Sequence, residues 1–254
     1  MKPNTILEID RRKSIRVFKD RDIEKEIKDN ILNSCIEAPT AGNMSLYSII
    51  DITDPVKKEK LSILCDNQPF IKDGKIVLVF VSDSTRWYKM YNNLINNVNA
   101  NPTIADYFLG VSDALIAAQN AVVAAEAYNI GSCYIGDIVE NYEEIRKLLD
   151  LPKYVVPACM LVFGYPTSQQ VERKKPARFD LKDIVYENSY VDKSINETLD
   201  MIKVRLKKTY SEISDQELEE KAMQMVNRMY SAKQNTTFFK EMIRSLKIMI
   251  DEFK

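Results

Sequence analysis

Residues 12–18 read Arg12-Lys13-Ser14-Ile15-Arg16-Val17-Phe18. Three cations and a hydroxyl fall within five residues, between a short helical start and an extended apolar pair. Such a cluster grips a phosphate and keeps a cation for a second negative group. Taken alone it reads better as a solvated basic turn. Its meaning depends on what the rest of the chain brings to it.

Composition narrows the options. The 254 residues are 45% hydrophobic and 29% charged, an ordinary balance for a globular chain. A net charge of -1 gives no overall field toward nucleic acid or an anionic membrane. No apolar run reads as approaching the ~20 residues of a membrane span. The opening Met1-Lys2-Pro3-Asn4-Thr5 lacks the apolar core and cleavage site of a signal peptide. Cys35, Cys65, Cys133 and Cys159 form no Cys-x-x-Cys pair, which predicts reduced thiols and a cytoplasmic location. There is no histidine, so Ser-His-Asp and Cys-His catalysis and His-ligated metal sites are excluded, and no metal is predicted. Six glycines form neither Gly-x-Gly-x-x-Gly nor a P-loop. Chemistry must come from a cofactor or from carboxylates, lysines and arginines.

Outward from the basic cluster, Asn4 or Thr5 caps a first short helix. Asp22 opens a helix with Ile23, Ile27, Ile31 and Cys35 on one face, closed by Pro39. Residues 47–52 form a strand, and Asp54-Pro55 starts the next helix. Ile76-Val77-Leu78-Val79-Phe80-Val81 is apolar throughout, the pattern of a strand buried on both faces. The asparagine-rich stretch 91–102 reads as a mobile loop with a helical turn. Residues 106–129 form an alanine-rich helix, apolar over most of its circumference, that Gly131 stops. Asn141 with Glu144 reads as a capping pair, and 157–163 as another apolar strand. Ser214 with Glu217 is a capping box, and Phe239, Ile243, Leu246, Ile250 and Phe253 make one stripe on the last helix. The expectation is a single domain over 1–254, with a body to 190 and a helical extension from 191.

Five features assemble into one site. They are Arg12/Ser14/Arg16, Thr40-Ala41-Gly42-Asn43, Gln68, Tyr134-Ile135-Gly136, and Lys175/Arg178. Two basic loops suit a phosphate, amides such as Asn43 and Gln68 suit the edge of a flat heterocycle, and Gly136 permits close approach to a ring face. In this order they resemble the nitroreductase family of FMN enzymes, nearest its oxygen-insensitive NAD(P)H nitroreductase and flavin reductase group. Ala38-Pro39, Gly131-Ser132-Cys133, Phe163-Gly164-Tyr165-Pro166, Lys175-Pro176-Ala177-Arg178-Phe179 and Tyr186-Glu187-Asn188-Ser189-Tyr190 extend the likeness.

That resemblance implies an α+β, three-layer fold with a mixed central sheet flanked by helices. It implies an intimate homodimer with FMN in two subunit-shared clefts, small-molecule electron acceptors, and no nucleic acid or membrane partner. By position Arg12, Lys13, Ser14, Lys175 and Arg178 match phosphate and ribityl contacts. Arg16 matches the cation at flavin N1 and O2, the one catalytic role assigned. Thr40, Ala41, Asn43 and Gln68 match ring and ribityl contacts, and Tyr134, Ile135 and Gly136 match backbone contacts along the ring. The implied reaction is ping-pong: hydride from NADH or NADPH, then two electrons to a nitroaromatic, quinone or flavin. The sequence departs from the family pattern in three places, the third being the late loop 231–235. Asp137 replaces a frequent second glycine, which puts a carboxylate near the flavin, and Arg12 stands where close members often carry histidine. Another FMN reaction on this fold, such as reductive dehalogenation, and a nonenzymatic flavin-binding protein stay open as alternatives.

Related NADPH users place arginines in the loop before the final helix, where this chain has Ser231-Ala232-Lys233-Gln234-Asn235. One exposed lysine is worth roughly 0–1 kcal/mol. NADH and NADPH should therefore give kcat/KM values within about tenfold of each other. Steady-state kinetics at matched salt decide it; a preference for NADPH of about a hundredfold or more would place the 2′-phosphate on other residues.

Overall fold

The computed structural model describes residues 2–254. The chain folds into two compact units, Met1–Arg173 with Lys240–Lys254, and Lys174–Phe239.

The first unit opens with α1 (Asn4–Arg11), whose N-terminus is preceded by Pro3 with no side-chain cap, so neither Asn4 nor Thr5 plays that part. α2 (Lys25–Ile36) begins after Glu24, three residues later than the Asp22 start the sequence suggests, and buries Ile31 and Cys35. β1 (Tyr47–Asp51) leads to α3 (Pro55–Leu64), where the Asp54 carboxylate accepts from the Val56 N–H at 2.8 Å, as the Asp-Pro signal predicts. α4 (Phe70–Asp73), β2 (Ile76–Asp83) and α5 (Thr85–Leu94) follow. α5 takes up the first part of the stretch expected to be loop. Trp87 and Tyr88 anchor it, donating to the Met44 carbonyl and to Asp106.

α6 (Ile104–Ala127) is the long alanine-rich helix. Its length and apolarity would suffice to cross a membrane, which corrects the expectation that no run approaches a span. Ala114, Ala117, Ala118, Ala121 and Ala125 are buried in the core. The helix ends on Asn129, at φ 56°, and not on Gly131, which lies in β3 (Gly131–Ile135). α7 (Tyr142–Leu148) starts at Asn141, whose left-handed backbone (φ 47°) turns its side chain away from the cap; its amide donates to the Leu64 carbonyl instead. β4 (Val155–Gly164) and α8 (Ser168–Glu172) complete the first stretch.

The sheet order is β1-β2-β4-β3 and every pair is antiparallel, so the expected mixed sheet is corrected. Among the described residues one parallel bridge is found, between Ser14 and Ser132. Pro157 sits inside β4, where a bulge opposite Phe80 and Val81 removes the need for its missing N–H. Strand alternation builds two cores. Ile76, Leu78 and Phe80 face α2 and α6, while Val77, Val79 and Val81 face Leu61 of α3 and Ile145 of α7. Helix, sheet and helix make the three layers of an α+β fold. All four cysteines are buried and free.

The second unit holds α9 (Leu181–Ile184), α10 (Ile195–Lys207), α11 (Asp215–Met229) and a π turn over Tyr230–Gln234. Ser214 and Glu217 form the expected capping box. Ion pairs Lys203–Glu219 and Lys207–Asp215 join α10 to α11. α12 (Thr237–Asp251) ends the chain. Its buried residues are Ser245 and Met249, with Phe253 just beyond, and Ile243 is 42% exposed, so the burying face is rotated from the predicted stripe.

The basic segment is stitched onto this sheet. The Ile15 N–H donates to the Ser132 carbonyl at 2.9 Å, and the Lys19 N–H to the Tyr165 carbonyl at 2.7 Å. Gly131 and Gly164 face each other across β3 and β4, and their missing side chains leave the space that Ile15 and Phe18 fill. A Cβ on Gly131 would meet the Ile15 Cβ at 2.7 Å. Gly131→Ala should therefore cost about 1–3 kcal/mol of stability in a denaturant titration. Gly136→Ala, whose Cβ meets nothing within 4 Å, should stay within about 0.5 kcal/mol of the parent. Equal stabilities for the two variants would show that Ile15 yields freely.

Candidate functional site

Three pieces of chain meet around the seam. From the segment come Arg12, Ser14 and Arg16; from β3 and the turn after it come Cys133, Tyr134, Gly136 and Asp137; from the turn after α3 comes Gln68. Arg12 lies 5.9 Å from the centre of the Tyr134 ring, a cation–π distance. Arg16 lies 5.9 Å from the Phe70 ring and lines a cleft with Val17, Phe18 and Pro69. Burial pushes the Cys133 thiol up, while Arg16, the Ser14 hydroxyl and Arg12 pull it back, which marks their convergence. Burial likewise raises the Tyr134 phenol.

Two polar atoms at this seam lack a protein partner. Arg12 Nε and Ser132 Oγ are both buried without a hydrogen bond. A buried donor left unpaired costs about 1–3 kcal/mol, so an unpaired guanidinium nitrogen in a cluster of cations marks a place for an anionic acceptor. Gly136 is exposed, and open space lies where its side chain would be. An orphaned cationic donor and an open glycine face fit a flat anionic ligand such as a flavin mononucleotide.

Other predicted residues are held differently. The Lys13 ammonium is committed to the carbonyls of Val171 and Arg173, so it braces the chain after α8. Arg173, unforeseen in the sequence, returns the tie by donating to the Ser14 carbonyl at 2.5 Å. Ile135 is buried in the core, and only its backbone is available to a ligand. Gln68 donates to Asp137 and to the Cys65 carbonyl.

Thr40, Ala41 and Asn43 stand on a separate support. Gly42, Asn43 and Ser45 all have left-handed backbone, and Thr40 Oγ1 accepts from the Ser45 N–H at 3.1 Å. The buried carboxylate of Asp113 holds both ends, accepting from the Ala41 N–H at 2.9 Å and the Leu46 N–H at 3.1 Å. Asn43 is exposed. Asp113 was missed in the sequence, although it is the only charged residue between Asp106 and Glu126 in an otherwise apolar helix.

Within the second unit, α10 anchors the loop of Lys175 and Arg178. Arg205 donates to the Ala177 carbonyl at 2.9 Å, and Lys208 to the Arg178 carbonyl at 3.0 Å. Arg205, Lys221 and Arg228 line a cleft of about 320 Å³ between α10 and α11. Lys233 is the one cation of residues 231–235, and Arg228 lies upstream on α11.

Asp113→Ala should cost about 2–4 kcal/mol, because it leaves two amides facing an apolar helix. Urea unfolding measures the loss, and amide exchange should accelerate at Ala41 and Leu46. Unchanged exchange there would mean that the loop holds itself.

Comparison with known proteins identifies the family. The model of the nitroreductase family matches residues 9–165. An FMN reductase (NADPH) of Bacillus subtilis (strain 168) is 33% identical over 188 residues, 74% of each chain. A Cr(VI) reductase of Pseudomonas sp. (strain G-1) is 34% identical, over 73% of this chain and 75% of that one. Among solved structures, the NfrA1 nitroreductase of B. subtilis has a TM-score of 0.80 at 27% identity, covering 98% of both chains. An NADPH:FMN oxidoreductase from Vibrio harveyi, complexed with NAD+, has a TM-score of 0.72 at 25% identity, covering 90% and 97%. This chain belongs to the nitroreductase family of oxidoreductases.

Proposed function

We propose that the protein is an FMN-dependent NAD(P)H oxidoreductase that holds its flavin, without a covalent bond, along the seam of residues 12–16 and 134–136. The observation that carries this reading is the buried, unpartnered Nε of Arg12 beside Tyr134. Relatives named for FMN and NADPH support it.

Arg12 and Ser14 would bind the phosphate and ribityl end, with Lys175 and Arg178 included by their match in sequence. Arg16 would face the pyrimidine edge, where its positive charge stabilises the negative charge that gathers at N1 and O2 on reduction. Tyr134 and Gly136 would present backbone to the ring. When bound, FMN would supply the two-electron redox chemistry of a ping-pong reaction between NADH or NADPH and a nitroaromatic, quinone or flavin. No side chain is required as a general acid or base, in keeping with a chain that has no histidine. Buried free thiols accord with work in the cytoplasm.

Purified protein should bind FMN, and NAD(P)H should bleach it anaerobically, with colour restored by a nitroaromatic. Arg12→Ala should lose about 1.5–3 kcal/mol of FMN affinity, the worth of a charge-assisted hydrogen bond. Arg16→Ala should retain FMN better and lower its midpoint potential. Unchanged affinity in an Arg12→Ala, Arg178→Ala double variant rejects the phosphate assignment.

A homodimer completes the proposal. Phe108 on α6 is 68% exposed, and Leu115, Ile116 and the α1 residues Ile6, Leu7 and Ile9 are exposed too. Such apolar surface suits an obligate interface of ~2,000 Å² or more. The separately supported loop 40–43 would then meet the seam of the second copy. Sedimentation should find a dimer at micromolar concentration; a flavin-loaded monomer would contradict it.

A further inference from the structure

Gln68 sits where the chain leaves α3, after two residues with left-handed backbone, Asp66 (φ 66°) and Asn67 (φ 50°). Its amide nitrogen donates twice, to the Cys65 carbonyl at 3.0 Å and to Asp137 Oδ2 at 2.6 Å. A carbonyl and a carboxylate both lack a hydrogen to give, so the chemistry of the partners decides which amide atom is nitrogen. An amide nitrogen has two hydrogens, and both are taken. Any further bond the side chain makes uses Oε1 as an acceptor. Asp137 is itself placed by the turn after Gly136, where its carbonyl accepts from the Glu140 N–H at 3.0 Å.

We propose that Asp137 is a positioning residue that locks Gln68 as an acceptor-only group, and that this polarity selects the N3–H of the flavin's pyrimidine edge. The inference rests on the FMN reading above. O2, O4, N1 and N5 of the oxidised ring are all acceptors, and N3–H is its one ring donor. A locked Gln68 therefore has a single complementary partner on the ring. Without Asp137 only the Cys65 carbonyl holds the amide, one N–H is left to turn toward O4 or O2, and the selection weakens. Sites built around a ligand's N–H reject the analogue that lacks it, because the acceptor is left unpaired.

Dissociation constants for FMN and 3-methyl-FMN, from quenching of flavin fluorescence, test this directly. Wild-type protein should bind FMN at least about tenfold more tightly than 3-methyl-FMN. In Asp137→Ala the ratio should fall to within about threefold, through weaker FMN binding and not through tighter binding of the analogue. Asp137→Asn keeps an oxygen that accepts from Gln68 and should retain most of the wild-type ratio. Gln68→Met keeps the length without either polar group and should lose the ratio even if Asp137→Ala does not fold. A full wild-type ratio in Asp137→Ala or in Gln68→Met overturns the proposal, because the methyl group's bulk then explains the selectivity. A wild-type ratio near one overturns it as well. Wild-type protein that binds neither flavin rejects the FMN reading itself, a different result from any of these.

Discussion

The hydrogen bond from the Ile15 amide to the Ser132 carbonyl is the contact on which the arrangement depends. It is made from a segment with no regular structure of its own, and it needs Gly131 to be bare for Ile15 to lie against the strand. Because that contact exists, Arg12, Ser14 and Arg16 are carried to the rim of β3. Their charge is then set against Tyr134 and Cys133 and not spread into solvent. Cations in a turn are ordinary; two arginines pinned at a strand edge, one with a buried unpaired nitrogen, are what the proposed binding site rests on. Lys13 and Arg173 close the arrangement from the other side by exchanging bonds with each other's backbone neighbourhood.

A second support does for loop 40–46 what the seam does for residues 12–16. Asp113 reaches out of the alanine-rich helix and fixes two amides five residues apart, so a loop with three left-handed residues keeps one shape. Both supports put rigid elements behind irregular chain, the kind of backing that a preorganised site requires. The net charge of -1 is compatible with this, because local placement and not an overall field gathers the cations.

Much of the fold is legible in the sequence because burial leaves a direct mark. The apolar run at 76–81 has to be a strand covered on both faces, and two cores meet it there. The alanine helix and the Asp-Pro and Ser-Glu starts are equally local signals. Elsewhere a local rule loses to a distant partner. Gly131 looks like a helix stop, but Ile15, far away in sequence, is what requires it, and Asn129 takes the left-handed position. Asn141 looks like a cap, but the Leu64 carbonyl claims its amide. The asparagines after Tyr91 conceal a helix that Trp87 and Tyr88 anchor by tertiary bonds. In the site, the residue types of the basic segment are readable, and their company is not. Gln68 and Asp137 are 69 positions apart, and nothing near either one announces the bond.

Hydrogen–deuterium exchange of the protein with and without FMN addresses the central claim, that the seam between residues 12–16 and β3 holds the flavin. FMN should slow exchange in peptides covering 12–16 and 134–137, with the largest change at the amides around Gly136. Saturating FMN that leaves both peptides unchanged, or protects only other parts of the chain, would contradict it.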